Sequence, residues 1–316
     1  MKIWTMGEIS VEIMRPLPDM SLDEAGLFRG PFPSGAPAIF IDTVARLGHK
    51  AGIIGGVGDD GFGRCCLTRL EKDGVDTRLV RRADNGSTAV AFVAYDSHGD
   101  RNFIFHIGNT PAASAICPTE SENASPTPAY FHIMGCSLMA DEGFCREIIK
   151  TAMLFKKLGA RISFDPNIRP ELLGERGLSD IVKPIMDNCS VLLPGHGELL
   201  ALTGASCMET AVEALFENPM LEILAVKLGQ DGCRVFTRYE DFTMGVYPIT
   251  PVDATGAGDC FDAAFLCGLV DGLPLTDIAK QASAAAALNT AAFGPMEGDI
   301  SPESVKKLQL QHPTLR

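Results

Sequence analysis

Two periods of hydrophobic spacing alternate along the chain. Short apolar runs at residues 2–6, 52–57, 88–95, 130–134, 161–164, 191–193, 223–228 and 233–237 read as strands. Apolar residues three and four apart at 37–47, 62–73, 142–158, 209–216, 257–270 and 276–292 read as amphipathic helices. Strands followed by helices predict an α/β fold, a mostly parallel sheet flanked by helices on both faces. One stretch breaks the rhythm: residues 17–33, rich in Pro and Gly, separate the first strand from the first long helix. With the alternating segment 88–107 it is expected to build a small antiparallel β lid, drawn from approximately residues 11–33 and 88–107. No repeat, low-complexity tract or linker divides the sequence, so residues 1–316 are expected to form one domain carrying that lid.

Composition narrows the class. With 46% hydrophobic and 21% charged residues, 316 residues can bury a substantial core. A net charge of −13 argues against nucleic acid as partner, because binding its backbone rests on clustered Lys and Arg. An anionic small ligand would need local donors instead. The ten cysteines, Cys65 and Cys66 adjacent among them, show no CxxC and no zinc spacing. Free thiols of this kind fit a reducing cytosol, and a cytoplasmic protein is expected. The first ten residues carry Glu8 within a short apolar run, and no stretch of about 18 apolar residues occurs, so neither a signal peptide nor a membrane span is expected.

The segment richest in chemistry is Asp253-Ala254-Thr255-Gly256-Ala257-Gly258-Asp259, directly before the apolar helical pattern. Small residues at a helix start let successive backbone N–H groups approach an anion, and the helix dipole adds partial positive charge there. Asp259 falls in the first turn, where a carboxylate can take the proton of a substrate hydroxyl while the N–H groups of Gly256, Ala257 and Gly258 stabilise a phosphoryl group. Spacing alone equally allows a plain glycine turn with an acid favoured by the dipole.

Asp253 to Asp259, followed by Cys260-Phe261-Asp262-Ala263-Ala264-Phe265, resembles the C-terminal signature of the ribokinase/PfkB family of carbohydrate kinases. The family's N-terminal signature is similar to Ser34-Gly35-Ala36-Pro37-Ala38, Ala45-Arg46-Leu47-Gly48 and the run from Gly55 to Gly63. Asp165-Pro166-Asn167-Ile168-Arg169, Glu198 with Leu202-Thr203-Gly204, and Lys227-Leu228-Gly229-Gln230-Asp231-Gly232 follow in the family's order. The resemblance covers nearly the whole chain. It implies a ribokinase-like fold, ATP and Mg2+ as cofactors, and Asp259 as the base.

By the same resemblance, Lys227, Gly229, Gly232, Thr255, Gly256, Gly258 and Asn289 serve the nucleotide, and Glu198 and Asp253 are the metal candidates. The other reading of Asn289 is an ordinary helical surface residue. Gly35, in a turn before a helix, resembles the sugar loop; the same residues also read as a helix start with Ser34 as cap. Glu12 stands where relatives hold sugar hydroxyls, and a carboxylate there accepts two of them; it also reads as a solvated charge at a strand end. Arg101, Phe103 and Phe105 share one face of a lid strand with His106 on the other, and each is open to a solvated reading. Arg169 resembles the arginine that contacts sugar or phosphate in acid-sugar and ketose kinases. Two positions depart from the pattern. Ile39 replaces an Asn that bonds a sugar hydroxyl, and Gly195 replaces the Asn of an Asn-x-x-Glu motif, which removes a polar group from the metal's surroundings.

The expected activity is ATP-dependent phosphorylation of a hydroxymethyl group of a small sugar, a ketose of the fructose or tagatose type or 2-keto-3-deoxygluconate. A sugar- or nucleotide-binding regulatory protein of the same fold is the alternative. A dinucleotide-dependent oxidoreductase is a further rival, because Gly56-Val57-Gly58-Asp59-Asp60-Gly61 satisfies the GxGxxG spacing after a strand. Resemblance also implies a monovalent cation such as K+ near Asp253 and Thr255, and exposed lid edges suggest a homodimer.

Overall fold

A computed structural model describes residues 2–97, 101–119, 128–173 and 177–312. The strands in its first half are β1 (Lys2–Met6), β2 (Ser10–Met14), β3 (Arg29–Ser34), β4 (Lys50–Gly58), β5 (Asp76–Ala83), β6 (Ala89–Tyr95) and β7 (Arg101–His106). The second half adds β8 (Pro128–Met134), β9 (Arg161–Asp165), β10 (Cys189–Leu192), β11 (Ile223–Lys227), β12 (Cys233–Phe236) and β13 (Asp241–Met244). The helices are α1 (Ala36–Arg46), α2 (Gly61–Lys72), α3 (Gly135–Ala140), α4 (Glu142–Lys157), α5 (Pro170–Leu173) and α6 (Leu178–Met186), then α7 (His196–Thr203), α8 (Met208–Phe216), α9 (Ala257–Asp271), α10 (Leu275–Thr290) and α11 (Pro302–Gln311).

Among the described residues nine strands form one sheet in the order β13-β12-β11-β10-β9-β8-β1-β4-β5. It is parallel from β11 to β5, and β12 and β13 continue it as an antiparallel meander. Strand periodicity divides the core between the two faces: in β1, Ile3 joins the cluster with Phe40, Leu67 and Phe265, while Trp4 and Met6 join the cluster with Phe144, Ile181 and Leu215. The first cluster is covered by α1, α2, α9, α10 and α11, the second by α4, α6, α7 and α8. α9 is buried without interruption from Asp259 to Gly268, as an apolar run with little polar face requires. Among the described residues no single helix is long and apolar enough to cross a membrane.

The remaining four strands make the lid, in the order β3-β2-β6-β7. Its outer pairs are antiparallel, but β2 and β6 in its centre run parallel, which corrects the wholly antiparallel expectation. The reason is topological. β2 and β6 follow β1 and β5, which share one direction in the large sheet, and so both enter the lid the same way. Residues 98–100 of the expected lid segment lie outside the described residues.

Candidate active site

The glycine turn sits at the start of α9. Gly256 has φ +78°, and a Cβ on it would lie 2.6 Å from the Pro295 carbonyl oxygen, so the position demands glycine. Cys260 N–H donates to Gly256 O at 2.9 Å, which leaves the N–H groups of Gly258 and Asp259 at the open, dipole-positive end of the helix. Behind the turn, Thr255 N–H and Oγ1 donate to Asp253 Oδ1 at 2.9 and 2.7 Å. Asn289 is fully buried, not a surface residue, and its Nδ2 donates to Thr255 O at 2.7 Å.

Asp259 is 7% exposed, and Asn167 Nδ2 lies 3.3 Å from its Oδ1. Burial raises its carboxyl from the ordinary value to about 7, helped by Asp165 and opposed by Lys227, Arg169 and Arg101. A carboxylate poised there is suited to accept a hydroxyl proton near neutral pH.

One pocket in front of Asp259, a cavity of about 50 Å³, brings together Glu12, Gly35, Ile39, Arg101, Phe103, Arg169, Thr255 and Gly256. Phe105 lines the same pocket, as alternation along β7 requires; His106 does not. Glu12 is buried, its Oε1 accepts from Ser34 Oγ at 2.7 Å, and its Oε2 has no partner among the described residues. Burial raises Glu12 to about 7, against the pull of Ser34 and Arg101. Ser34 therefore serves Glu12 and does not cap α1, whose N-cap is Gly35 with no side-chain bond. Gly35 has φ +101°, and a Cβ on it would meet Glu8 O at 2.4 Å. Ile39 packs against the turn, its Cγ2 3.1 Å from the place a Gly256 Cβ would take. The guanidinium groups of Arg101 and Arg169 lie 5.6 and 5.9 Å from the Phe103 ring centroid.

The sequence reading missed Glu8 and Asn167. Both line this pocket. Glu8 accepts from Cys136 Sγ at 3.2 Å and from Ser137 Oγ at the start of α3, and burial pushes its carboxyl up. A glutamate inside an apolar run was the available signal. Asn167 has φ +37°, a conformation in which Asn is among the residues most often found.

A second cavity of about 470 Å³ is lined by His196, Met208, Lys227, Leu228, Gly229 and Asp231. Lys227 points its ammonium into the protein, 2.8 Å from Asp165 Oδ2 and 3.0 Å from Asp262 Oδ2. Burial lowers Lys227, and the two aspartates more than offset it, so its pKa stands above the ordinary value. Gly232 is required by packing: a Cβ would lie 1.9 Å from Met244 O of β13. Glu198 accepts from Ile168 N–H at 2.8 Å and Gly195 N–H at 2.7 Å, tying two loops together. Asp253 is likewise engaged, by Thr255, by Tyr95 and by Gly294 N–H at 2.9 Å. Among the described residues no three His, Cys, Asp or Glu side chains form a metal-binding group, so Glu198 and Asp253 do not make a metal centre by themselves. That donor set fits a cation held chiefly by nucleotide phosphates and water.

The glycine run at the end of β4 is already spoken for, which removes the dinucleotide reading. Gly58 N–H donates to Thr88 Oγ1 at 2.9 Å, Asp59 N–H to Ala83 O at 3.0 Å, and Gly63 N–H to Asp60 Oδ1 at 2.8 Å. A Cβ on Gly63 would meet Gly58 O at 2.2 Å, so that glycine serves close packing.

The sequence profile of the pfkB family carbohydrate kinases matches residues 32–301. The chain belongs to this family. It is 32% identical over 317 residues to Fructokinase-1 of Zea mays, covering 97% of this chain and 96% of that one. With Fructokinase-1 of Oryza sativa subsp. japonica it shares 35% over 272 residues, 84% and 82% of the two chains. Among solved structures, a putative Ribokinase II from E. coli in complex with ATP and Mg2+ superposes with a TM-score of 0.90 at 38% identity over 98% of this chain and 99% of that one. A fructokinase double mutant from Vibrio cholerae O395, with fructose, ADP and potassium ion bound, gives 0.84 at 25% identity over 97% of each chain. The fold is ribokinase-like, and this pfkB-family protein is an ATP-dependent carbohydrate kinase.

Proposed function

We propose that this kinase transfers the γ-phosphoryl group of ATP to a hydroxymethyl group of a small ketose of the fructose or tagatose type. The observation that carries the reading is the single pocket in which Asp259 and the glycine turn face Glu12, Glu8, Arg101 and Arg169. Two carboxylates accept hydroxyl hydrogens of a polyol, and the Phe103 and Phe105 rings offer apolar faces to its C–H groups. Asp259 takes the proton of the attacking hydroxyl, and the N–H groups of the Gly256–Gly258 turn stabilise charge on the transferred group, those of Gly258 and Asp259 foremost because Ala257 N–H donates to Ala254 O at 3.3 Å. Glu198 would help hold a Mg2+ ion carried by the nucleotide, which would supply neutralisation of the phosphate charge. Closure of the lid keeps out water that would otherwise hydrolyse ATP. The fructokinase relatives support a sugar substrate of this class.

The two guanidinium groups favour a second substrate within the class, the carboxylate-bearing 2-keto-3-deoxygluconate. On the nucleotide side, Lys227 and Gly229 line the second cavity and Gly232 closes the 229–231 turn beside it, while Gly258, Thr255 and Asn289 build and brace the glycine turn. A monovalent cation such as K+ near Asp253 and Thr255 belongs to the same reading; the Vibrio cholerae fructokinase structure holds potassium. So do a homodimer through the lid's outer strands β3 and β7, each paired on one side within the lid, and a cytoplasmic location, with no disulfide among the described cysteines. A binding protein without catalysis has less support, because Asp259 and its turn are intact.

The test is ADP release with MgATP against ketoses, aldoses, keto-acid sugars and nucleosides. Turnover with a ketose or keto-acid sugar is expected. ATP binding with no turnover on any of them would favour the binding-protein reading.

A further inference from the structure

Tyr95, the last residue of lid strand β6, reaches across to the glycine turn: its hydroxyl hydrogen-bonds both Asp253 Oδ1 and Thr255 Oγ1. The same Asp253 oxygen accepts from Thr255 N–H, the residue directly before Gly256. The other carboxylate oxygen of Asp253 accepts from Gly294 N–H at 2.9 Å. Gly294 is itself covered by the lid. A Cβ on it would lie 2.9 Å from the Phe32 ring of β3, and Phe32 packs edge-on to Phe293 at 5.8 Å between centroids, with the Arg29 guanidinium 4.2 Å from the Phe293 centroid. One buried carboxylate is thus contacted on one oxygen by lid strand β6 and on the other by the loop beneath lid strand β3. Both routes end at the backbone that presents Thr255, Gly256 and the N–H groups beyond.

We propose that Tyr95 is a positioning residue that latches the closed lid to the glycine turn, so that the turn's N–H groups are oriented for the phosphoryl group only when a sugar has brought the lid down. Tyr95 is not among the residues that line the pocket in front of Asp259; it acts through Asp253 and Thr255. An open lid removes the phenol from Asp253, and the turn loses one of its outside supports, while those from Gly294 and Asn289 remain. Sugar occupancy is in this way communicated to the ATP side, and phosphoryl transfer to water is disfavoured when the sugar is absent.

This inference rests on the kinase reading, and sugar-dependent ADP release by the wild type in the same assay tests that reading separately. Tyr95→Phe removes one oxygen and keeps the ring. The expected result is a fall in kcat of about tenfold, equivalent to about 1.4 kcal/mol, with KM for ATP changed less than about twofold. The share of ADP released without phosphosugar should rise severalfold, a readout that loss of folded protein does not move. A kcat per folded molecule, or a hydrolysis share, that stays at the wild-type value overturns the proposal. In the wild type, sugar added without nucleotide should slow amide exchange at residues 253–258 together with that of β6; slowing confined to the lid would equally overturn it.

Discussion

Lys227→Met would leave two buried carboxylates facing the space that an ammonium now fills. Asp165 and Asp262 are 2% and 0% exposed, and the Lys227 nitrogen lies 2.8 and 3.0 Å from them. Removing one member of a buried ion pair costs about 3–5 kcal/mol, a large share of a domain's total stability. The cost depends on pH, because Asp262, pushed up by burial, can take a proton when the ammonium is gone. Against its burial, Asp165 is held below its ordinary value largely by Lys227; without that ammonium, burial lifts both carboxyls above their unfolded values, and the stability they then contribute is present at low pH and lost as pH rises through the folded values. Urea unfolding should therefore show the full deficit near about pH 8 and much of it relieved near about pH 5.5. Adding Asp262→Asn should recover about half of the loss at the higher pH, since one buried charge then remains. Lys227 also lowers Asp259, so the acid limb of kcat/KM should move to higher pH in the single variant. A deficit below about 1 kcal/mol at high pH, or one equal at both pH values, would refute the reasoning.

Other outcomes follow from the same geometry. In the wild type, kcat/KM should fall with one proton below about pH 7, where Asp259 titrates; its raised value adds stability at low pH that is lost as pH rises through about 7, so Asp259→Asn should melt above the wild type at alkaline pH and gain less in acid. A flat activity profile across that range would count against Asp259 as base. Glu12→Gln should raise the sugar KM by about tenfold or more and leave the ATP KM unchanged, since Glu12 lines the pocket, its Oε2 has no partner among the described residues, and a hydrogen bond to a charged group contributes about 1.5–3 kcal/mol; an equal change in both KM values would contradict it. Gly35→Ala, forced to φ +101° with its Cβ 2.4 Å from Glu8 O, should lose about 2 kcal/mol or more in a thermal melt and weaken sugar binding; a variant as stable as the wild type would contradict the geometry.

Buried strands and the long helices were legible because burial on both faces leaves only apolar residues to read. β5 was not: it lies at the sheet's edge, where Arg78, Arg81 and Arg82 stand among its apolar positions. β2 was hidden by its own chemistry, since Ser10 and Glu12 are buried polar residues that interrupt an apolar pattern in order to line the pocket. The glycine turn announced itself through a local motif. Glu8, Asn167 and Tyr95 did not, because each matters through partners about 90 to 160 residues away: Glu8 through Ser137, Asn167 through Asp259, and Tyr95 through Asp253 and Thr255. Asn289 was placed on the right helix with its direction left open between the nucleotide and solvent, since an alanine-rich helix shows no clear polar face; packing of α10 against α9 decides its direction.

The central claim is that Asp259 takes the substrate proton while the turn before it receives the phosphoryl group. Its most direct test is single-turnover phosphorylation of the best sugar by Asp259→Asn, with ATP and sugar binding measured by titration calorimetry. The account predicts binding near that of the wild type and a chemical step slower by about 10²–10⁴-fold. A variant that binds both substrates and transfers phosphate at close to the wild-type rate would contradict it.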